Sequence, residues 1–252
     1  MKKQRPFINA GIGIVMLMVL WQVLAWIIHR PILPSPMTVV PVFVKSFAGE
    51  LGMHFLASAA RVVLAIVTAT LFAVPAGLAL AIMPGLDRIF SPLIAIVYPL
   101  PKIVFLPVIY LLMGVTEISK VFLISLIVFF QILVVVRDEA TQIRPELIWS
   151  VRSLGAGRRA LFRFVYLPAS LSAVLTAIRV SVGTAIAVLF IAEQSLTTYG
   201  LGYYIVVETY QVLLYPEMYS GIIAMGMLGL ILYFLIFAIE TRVNRYLLLP
   251  GR

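Results

Sequence analysis

Charged side chains inside long apolar runs are the residues here with the clearest capacity for chemistry, because each is costly away from water. Lys102 follows Pro99-Leu100-Pro101, in a run that proline interrupts. Arg179 sits well inside another apolar run, and Arg61 and Glu193 lie toward the ends of two more. Interrupted helices free backbone groups, and breaks near the bilayer midplane often border a transport path. Two cations there would suit an anionic solute, though each could instead meet a carbonyl or a carboxylate. Lys102, Arg179 and Glu193 are therefore the candidate residues of a translocation path. Arg61 and Glu193 also read as structural partners, or as side chains reaching for the membrane edge.

Other chemistries lack their parts. There is no Gly-x-x-x-x-Gly-Lys-Ser/Thr run to cradle a nucleotide phosphate. There is no cysteine, which excludes disulfides, thiolate catalysis and zinc–thiolate sites. His29 and His54 read as isolated residues, and a metal needs several converging ligands. Asp138 and Glu139 are adjacent and read as solvated or paired with Arg137. Gly11-x-Gly13 reads as helix packing and Gly200-Leu201-Gly202 as a turn. No catalytic residue, metal site or cofactor is expected.

The elements that hold these ions must be membrane helices. Of 252 residues, 63% are hydrophobic and only 12% charged, against roughly 25% charged in a soluble domain. Mean hydropathy is +1.11. The pattern predicts an all-α membrane protein, one membrane domain over residues 1–252. Six transmembrane helices are expected at about 7–28, 56–83, 89–113, 120–136, 168–193 and 218–239. The first run has no small-residue cleavage pattern and reads as a retained span. Pro34-Ser35-Pro36 and the residues after it read as a short surface segment, and residues 195–216 as a polar, aromatic loop.

The net charge of +9 gathers at the ends of apolar runs, an orientation signal and not a nucleic-acid footprint. Lys2, Lys3, Arg5, Arg88, the arginines from Arg137 to Arg163, and Arg242, Arg245 and Arg252 fall on one side. Arg30, Lys45, Arg61 and Lys120 fall on the other. The richer side, with both termini, is expected in the cytoplasm. Small residues recur every four positions at Ala65, Ala69, Ala73, Gly77 and Ala81, and at Ala169, Ala173, Ala177, Ser181 and Ala185. Such ridges let helices approach closely in lipid, within one chain or between subunits.

The longest basic interruption, residues 137–167, has its own design. Pro145 suits the first turn of a helix and Gly155 its left-handed end. Leu147, Ile148, Val151 and Leu154 share one face between them. Ala160, Leu161, Phe164 and Val165 form the apolar side of a second short helix, with Arg158, Arg159 and Arg163 exposed. A helix–glycine–helix elbow results.

This elbow resembles the cytoplasmic loop of bacterial ABC importer permeases, whose pattern is Glu-Ala-Ala, three residues, Gly, nine residues, Ile, one residue, Leu-Pro. Gly155, Val165 and Leu167-Pro168 fall in register, while Trp149-Ser150-Val151 occupies the Glu-Ala-Ala positions. Pro99-Leu100-Pro101-Lys102 through Gly114-Val115-Thr116-Glu117, and Ile178 to Gly183 with Ile191-Ala192-Glu193, are similar to the nitrate/sulfonate/taurine-type branch. The branch's Trp-Phe-Gly is Leu112-Met113-Gly114 here.

The resemblance implies the type I importer permease fold. It also implies a homodimer in the bacterial inner membrane, two ABC ATPase subunits, and a periplasmic or lipid-anchored solute-binding protein. ATP hydrolysis would belong to the ATPase. Coupling would run through Glu146, Leu147, Trp149, Ser150, Val151, Arg152, Leu154, Gly155 and Ala156. The implied solute is a small anion such as a sulfonate, taurine or nitrate. Relatives in the branch also import vitamin precursors, such as a thiamine-related pyrimidine, and a non-transporting scaffold is the remaining alternative.

Overall fold

Ser125 on one long helix donates its hydroxyl to the Ala65 carbonyl of another at 3.2 Å. Twelve residues beyond Ala65 on its helix, Gly77 faces Leu133 and Val136 of the Ser125 helix. The two helices, α3 (Glu50–Ile82) and α6 (Glu117–Thr141), therefore run parallel. The chain between them must cross back. It does so as a broken element: α4 (Pro84–Val97), a 3-10 turn (Lys102–Phe105) and α5 (Leu106–Met113), bent by 84°.

The computed structural model describes residues 6–194 and 197–244. The flanking Lys2, Lys3, Arg5, Arg245 and Arg252 lie outside the described residues. Before the parallel pair come α1 (Pro6–Ile28) and α2 (Pro36–Phe47). After it come α7 (Pro145–Ser153), α8 (Arg158–Leu161), a π-helical turn (Phe162–Tyr166) and α9 (Leu167–Gln194). The chain closes with α10 (Leu201–Tyr203), a second π-helical turn (Tyr204–Tyr210) and α11 (Tyr215–Asn244). No strand occurs among the described residues. Among the described residues five helices are long and apolar enough to cross a membrane, and the bent pair, taken as one span, is a sixth.

Helix edges differ from the sequence reading where polar residues are themselves buried. α3 begins at Glu50 and not near 56: Leu51, His54 and Ser58 are buried, and the chain that follows α9 binds His54 and Ser58 through the Gly200 and Leu201 N–H groups. α6 runs on to Thr141, so Arg137, Asp138 and Glu139 are its last turns and not loop. Its start is fixed by a capping box: Thr116 Oγ1 accepts from Ser119 N–H at 3.2 Å, and Ser119 Oγ accepts from Thr116 N–H at 3.0 Å. The segment read as a loop over 195–216 is folded from Leu201 onward. Leu201, Gly202, Tyr204, Ile205 and Thr209 are all buried, forming a cap over one end of the bundle.

The core sits between α3, α6 and α9. Ala65, Ala69, Ala73 and Gly77 are buried, and a β-carbon on Gly77 would lie 2.9 Å from the Leu133 carbonyl oxygen. The α3 ridge therefore serves packing within the chain. On α9 only part of the ridge is covered: Ala177, Ser181 and Ala185 are buried, while Ala169 is exposed. α1 touches mainly α2; Trp21 donates to the Pro34 carbonyl at 3.0 Å and stacks on Tyr219 of α11. At the opposite end from the cap, Arg137 Nε holds Asp87 Oδ1 at 2.6 Å and its Nη2 donates to Ser91 at 2.6 Å, fastening α4 to α6.

The close approach at Gly77 is testable. Gly77→Leu should cost about 1–3 kcal/mol of unfolding stability by overpacking the α3–α6 seam. Gly85→Leu, where an added β-carbon meets nothing within 4 Å, should leave the denaturation midpoint in detergent unchanged.

Candidate functional site

Each end of the bundle carries a distinct arrangement, with the broken span between them. At one end is the elbow. Pro145 occupies the first turn of α7, and Gly155 follows its end at φ +81°, a backbone state that side chains with a β-carbon resist. Nothing lies within 4 Å of where a β-carbon on Gly155 would sit, so the conformation, not crowding, selects glycine. Ile148 and Val151 pack against the core, while Leu147, Trp149 and Leu154 are exposed. Leu154 is 85% exposed, high for a leucine at the end of an amphipathic helix. The apolar face read from the sequence is thus divided between this chain and open space.

Beyond the elbow one expectation changes. Leu161 and Val165 are buried as read, but Phe164 is 67% exposed and lies beside the Arg163 guanidinium. The π-helical turn over Phe162–Tyr166 adds a residue to the helical repeat and rotates Phe164 outward. Tyr166 turns inward in its place.

At the opposite end a buried ion cluster joins four segments. Glu193 of α9 is fully buried. One carboxylate oxygen accepts from Arg61 Nη1 at 2.5 Å and from Ser58 Oγ at 2.8 Å. The other accepts from the Gly202 N–H at 2.9 Å. Arg61 also donates to both oxygens of Glu117, at the start of α6, and to the Tyr199 carbonyl at 2.8 Å. Lys120, 2% exposed, binds Glu117 at 3.0 Å and Thr197 at 2.6 Å. Two cations and two carboxylates thus neutralise one another; Ser58 and the Gly202 N–H complete the buried Glu193, while Glu117 is exposed on its outer side. This is the condition under which a buried ion pair holds.

Gly200, at φ +133°, lets the chain lie against this cluster, since a side chain there would strike both the Glu193 carboxylate and Arg61. A β-carbon on Gly202 would come within 2.6 Å of the Phe190 carbonyl. The Gly-Leu-Gly turn is therefore a contact surface. His54 is not isolated. It is buried, accepts from the Gly200 N–H at 3.0 Å, stacks on Tyr199, and meets Glu208 at 3.2 Å. Burial pushes the Glu208 carboxyl above its ordinary range, against the pull of His54 and with a push from Glu50.

The path candidates are not brought together. Arg179 Nε binds Glu240 of α11 at 2.8 Å and its Nη1 binds the Tyr233 hydroxyl at 2.8 Å, a tie between two helices. Lys102 lies at the bend of the broken span, 8% exposed, and donates to the Tyr98 carbonyl at 2.9 Å and the Leu100 carbonyl at 3.4 Å. Both carbonyls are ones the break has freed. Sequence reasoning missed Glu117, Lys120 and Ser58 as partners. The Thr-Glu-x-Ser cap marks Glu117 as the first turn of a helix, but its partner lies 56 residues away. It also missed Gln131, a lone amide among apolar residues, which donates to Thr184 of α9 at 3.1 Å. Among the described residues, no group of His, Asp or Glu could hold a metal ion.

A parallel helix pair split by a bent crossing, with an exposed helix–glycine–helix elbow at one end, defines a membrane-embedded transport component. The chain belongs to the binding-protein-dependent transport system inner membrane component family, whose model matches residues 73–247. It is a multi-pass membrane permease component of an ABC importer.

Among its relatives is the taurine transport system permease protein TauC of Escherichia coli, 31% identical over 78% of this chain and 74% of that protein. The putative aliphatic sulfonates transport permease protein SsuC of Bacillus subtilis is 27% identical over 83% and 77%. The formylaminopyrimidine transport permease protein ThiX of Halalkalibacterium halodurans is 27% identical over 81% and 82%. Among solved structures, an inward-facing MetNI methionine ABC transporter chain matches with TM-score 0.64 at 19% identity, over 77% of this chain and 96% of that one. That likeness establishes the type I importer permease fold.

The buried cluster separates from ordinary surface ion pairs by its energetics. Arg61→Met should cost about 3–5 kcal/mol, because it leaves Glu193 buried without its cation. Arg137→Met, which breaks the partly exposed pair with Asp87, should cost about 1 kcal/mol or less. Unfolding of the purified protein in mixed detergent micelles measures both. Proteolysis within residues 197–214 should increase only in the Arg61 variant.

Proposed function

We propose that the chain forms, as a homodimer, the translocation path for a small anionic solute. Two ATPase subunits drive the cycle, and a periplasmic or lipid-anchored binding protein delivers the solute. The observation that carries this reading is the elbow. Ile148 and Val151 fasten α7 to its own membrane domain, while Leu147, Trp149 and Leu154 stand uncovered beside it. Those residues, with Glu146, Ser150, Arg152, Gly155 and Ala156, form the surface that enters the groove of an ATPase. Movement of the ATPases then passes through α7, turns at Gly155, and reaches α9 through the short π-helical turn.

Both termini and the elbow face the cytoplasm in this arrangement, since the arginines near the elbow follow the positive-inside rule. The ion cluster and the cap then face outward, where the binding protein docks. Within the membrane, Arg179 and Glu193 are neutralised by Glu240 and Arg61, so Lys102 is the path candidate whose charge stays open to a solute.

Sulfonates are the first solute class to examine, because the relatives named above include taurine and aliphatic sulfonate permeases. The formylaminopyrimidine relative supports a second reading, in which the same architecture carries a neutral or cationic vitamin precursor. Co-purification of an ATPase, followed by ATP hydrolysis stimulated by binding protein loaded with taurine or with an aminopyrimidine, tests the two readings. Stimulation by neither, with no ATPase retained, would favour the non-transporting scaffold.

Two measurements test the coupling. Gly155→Val should lower solute uptake by at least about tenfold while ATP hydrolysis persists, because valine resists the left-handed backbone the elbow needs. Normal uptake with normal assembly would remove Gly155 from the coupling route. The chain has no cysteine, so Ser150→Cys supplies a single thiol. In permease expressed without its ATPase, a membrane-impermeant maleimide should label it in inverted vesicles and not in intact spheroplasts; the reverse pattern would overturn the orientation.

A further inference from the structure

The arginines at the elbow end of the bundle differ in what they meet. Arg137 holds Asp87. Arg159 and Arg163 are exposed and, among the described residues, have no carboxylate partner. The Arg163 guanidinium lies 5.6 Å from the centroid of the Phe164 ring. Both stand at a defined depth. From Val62 to Met83 the chain carries no charged residue, the length of one crossing of a roughly 30 Å hydrocarbon layer. Met83 therefore marks the level at which lipid headgroups begin. Arg159 and Arg163 share a cleft with Ile82 and Met83, which puts them at that level.

That cleft measures about 480 Å³. Ala79, Ile82 and Met83 form one wall, and Arg159, Phe162 and Arg163, beyond the elbow's glycine, form the other. Apart from the two arginines its lining is apolar. A second cleft, of about 350 Å³ and lined only by apolar side chains, meets the first at Ala79. It follows α4 from Leu86 to Val97, between α3 and α6. Ala76, Ala79, Leu80 and Met83 recur at steps of three and four, so one face of α3 lines both spaces. The stretch of α4 rises about 16 Å, close to the depth of one leaflet of the hydrocarbon layer. Phe90 and Leu93 are exposed at its edge, so the groove opens sideways.

We propose that the joined clefts hold one anionic phospholipid, with its phosphate on Arg159 and Arg163 and an acyl chain along α4. Guanidiniums suit a phosphate in charge and in the fork of their donors. A phosphate alone would leave the apolar groove unfilled, and an alkyl chain alone would leave two cations uncompensated beside hydrocarbon. The headgroup is one without an ammonium, because no carboxylate among the described residues lines the cleft to receive it. Bound there, the lipid joins the second half of the elbow to the end of α3. The assignment needs only that the bundle spans a membrane, and it holds in whichever direction the elbow points.

The test is native mass spectrometry of the purified full-length protein, with any ATPase it retains, after equilibration with equal phosphatidylglycerol and phosphatidylcholine. The wild type should retain phosphatidylglycerol in preference. An arginine beside an anionic headgroup contributes roughly fivefold in binding, so Arg159→Gln with Arg163→Gln should lower the retained ratio by at least about tenfold. Arg159→Lys with Arg163→Lys should keep most of the preference. Should the glutamine pair not fold, Arg163→Gln alone should lower the ratio by about fivefold. Arg88→Gln, at an exposed arginine outside the cleft, should leave it unchanged. Ala79→Phe, which fills the junction of the two clefts, should lower retention of phosphatidylglycerol, and inorganic phosphate should not displace it.

An unchanged ratio in the glutamine variants, or an equal fall in Arg88→Gln, would reduce the effect to general surface charge and overturn the site. Unchanged retention in Ala79→Phe, or displacement by inorganic phosphate, would make the arginines a simple anion site and overturn the lipid as occupant. Loss of the ATPase or of a second copy from the glutamine variants, at an unchanged lipid ratio, would assign the arginines to a protein contact and overturn it as well.

Discussion

Arg61 is the residue around which one end of this molecule closes. A guanidinium cannot lose its proton, so its burial within a membrane helix requires carboxylates brought to it. Glu193 arrives from α9 and Glu117 from the start of α6, and each fixes the position of its helix against α3. The glycine pair Gly200 and Gly202 then exists because the chain must pass over this cluster closely enough to give it a backbone N–H. Replacing that end with apolar packing could yield an equally stable bundle. What the ions add is an obligatory register: three helices and the cap satisfy the charges in one arrangement only.

The middle of the molecule solves a different problem. Pro99 and Pro101 break the third crossing, and a break in a membrane leaves carbonyls without partners. Lys102 supplies donors to two of them and bends back over the aromatic rings at the same time. The 84° bend is held by a side chain that is itself charged. A structural repair and an open positive charge are consequently one feature. The helix pair α3 and α6 can be rigid and tightly packed beside it because the irregular backbone is confined to the element between them.

The elbow connects these parts to the outside of the bundle. Its first helix, α7, packs on the membrane core only through Ile148 and Val151, while Leu161, Val165 and Tyr166 beyond the glycine are buried in that core and lead into α9 through a stretch of π-helix. α9 in turn carries Thr184 against Gln131, Arg179 against Glu240, and Glu193 against Arg61. A displacement of α7 therefore meets, along one helix, a hydrogen bond to α6, an ion pair to α11 and the ion cluster beneath the cap.

Periodicity and charge placement by themselves determined the all-helical membrane class, the proline break, the elbow with its terminal glycine, and the apolar ridge of α3. Each of these depends on residues near one another in the chain, where hydropathy, proline geometry and glycine freedom act directly. They also marked Arg61, Lys102, Arg179 and Glu193 as ions needing an explanation. Only the tertiary structure decided what each ion meets. Arg61 and Glu193 are separated by 132 residues and Arg179 and Glu240 by 61, and no local pattern selects one distant carboxylate over another. The cap over residues 201–210 was hidden for a related reason: its polar composition reads as loop, yet its backbone is consumed by buried partners. The outward turn of Phe164 was hidden because a single π-helical turn shifts the helical repeat without any mark in composition.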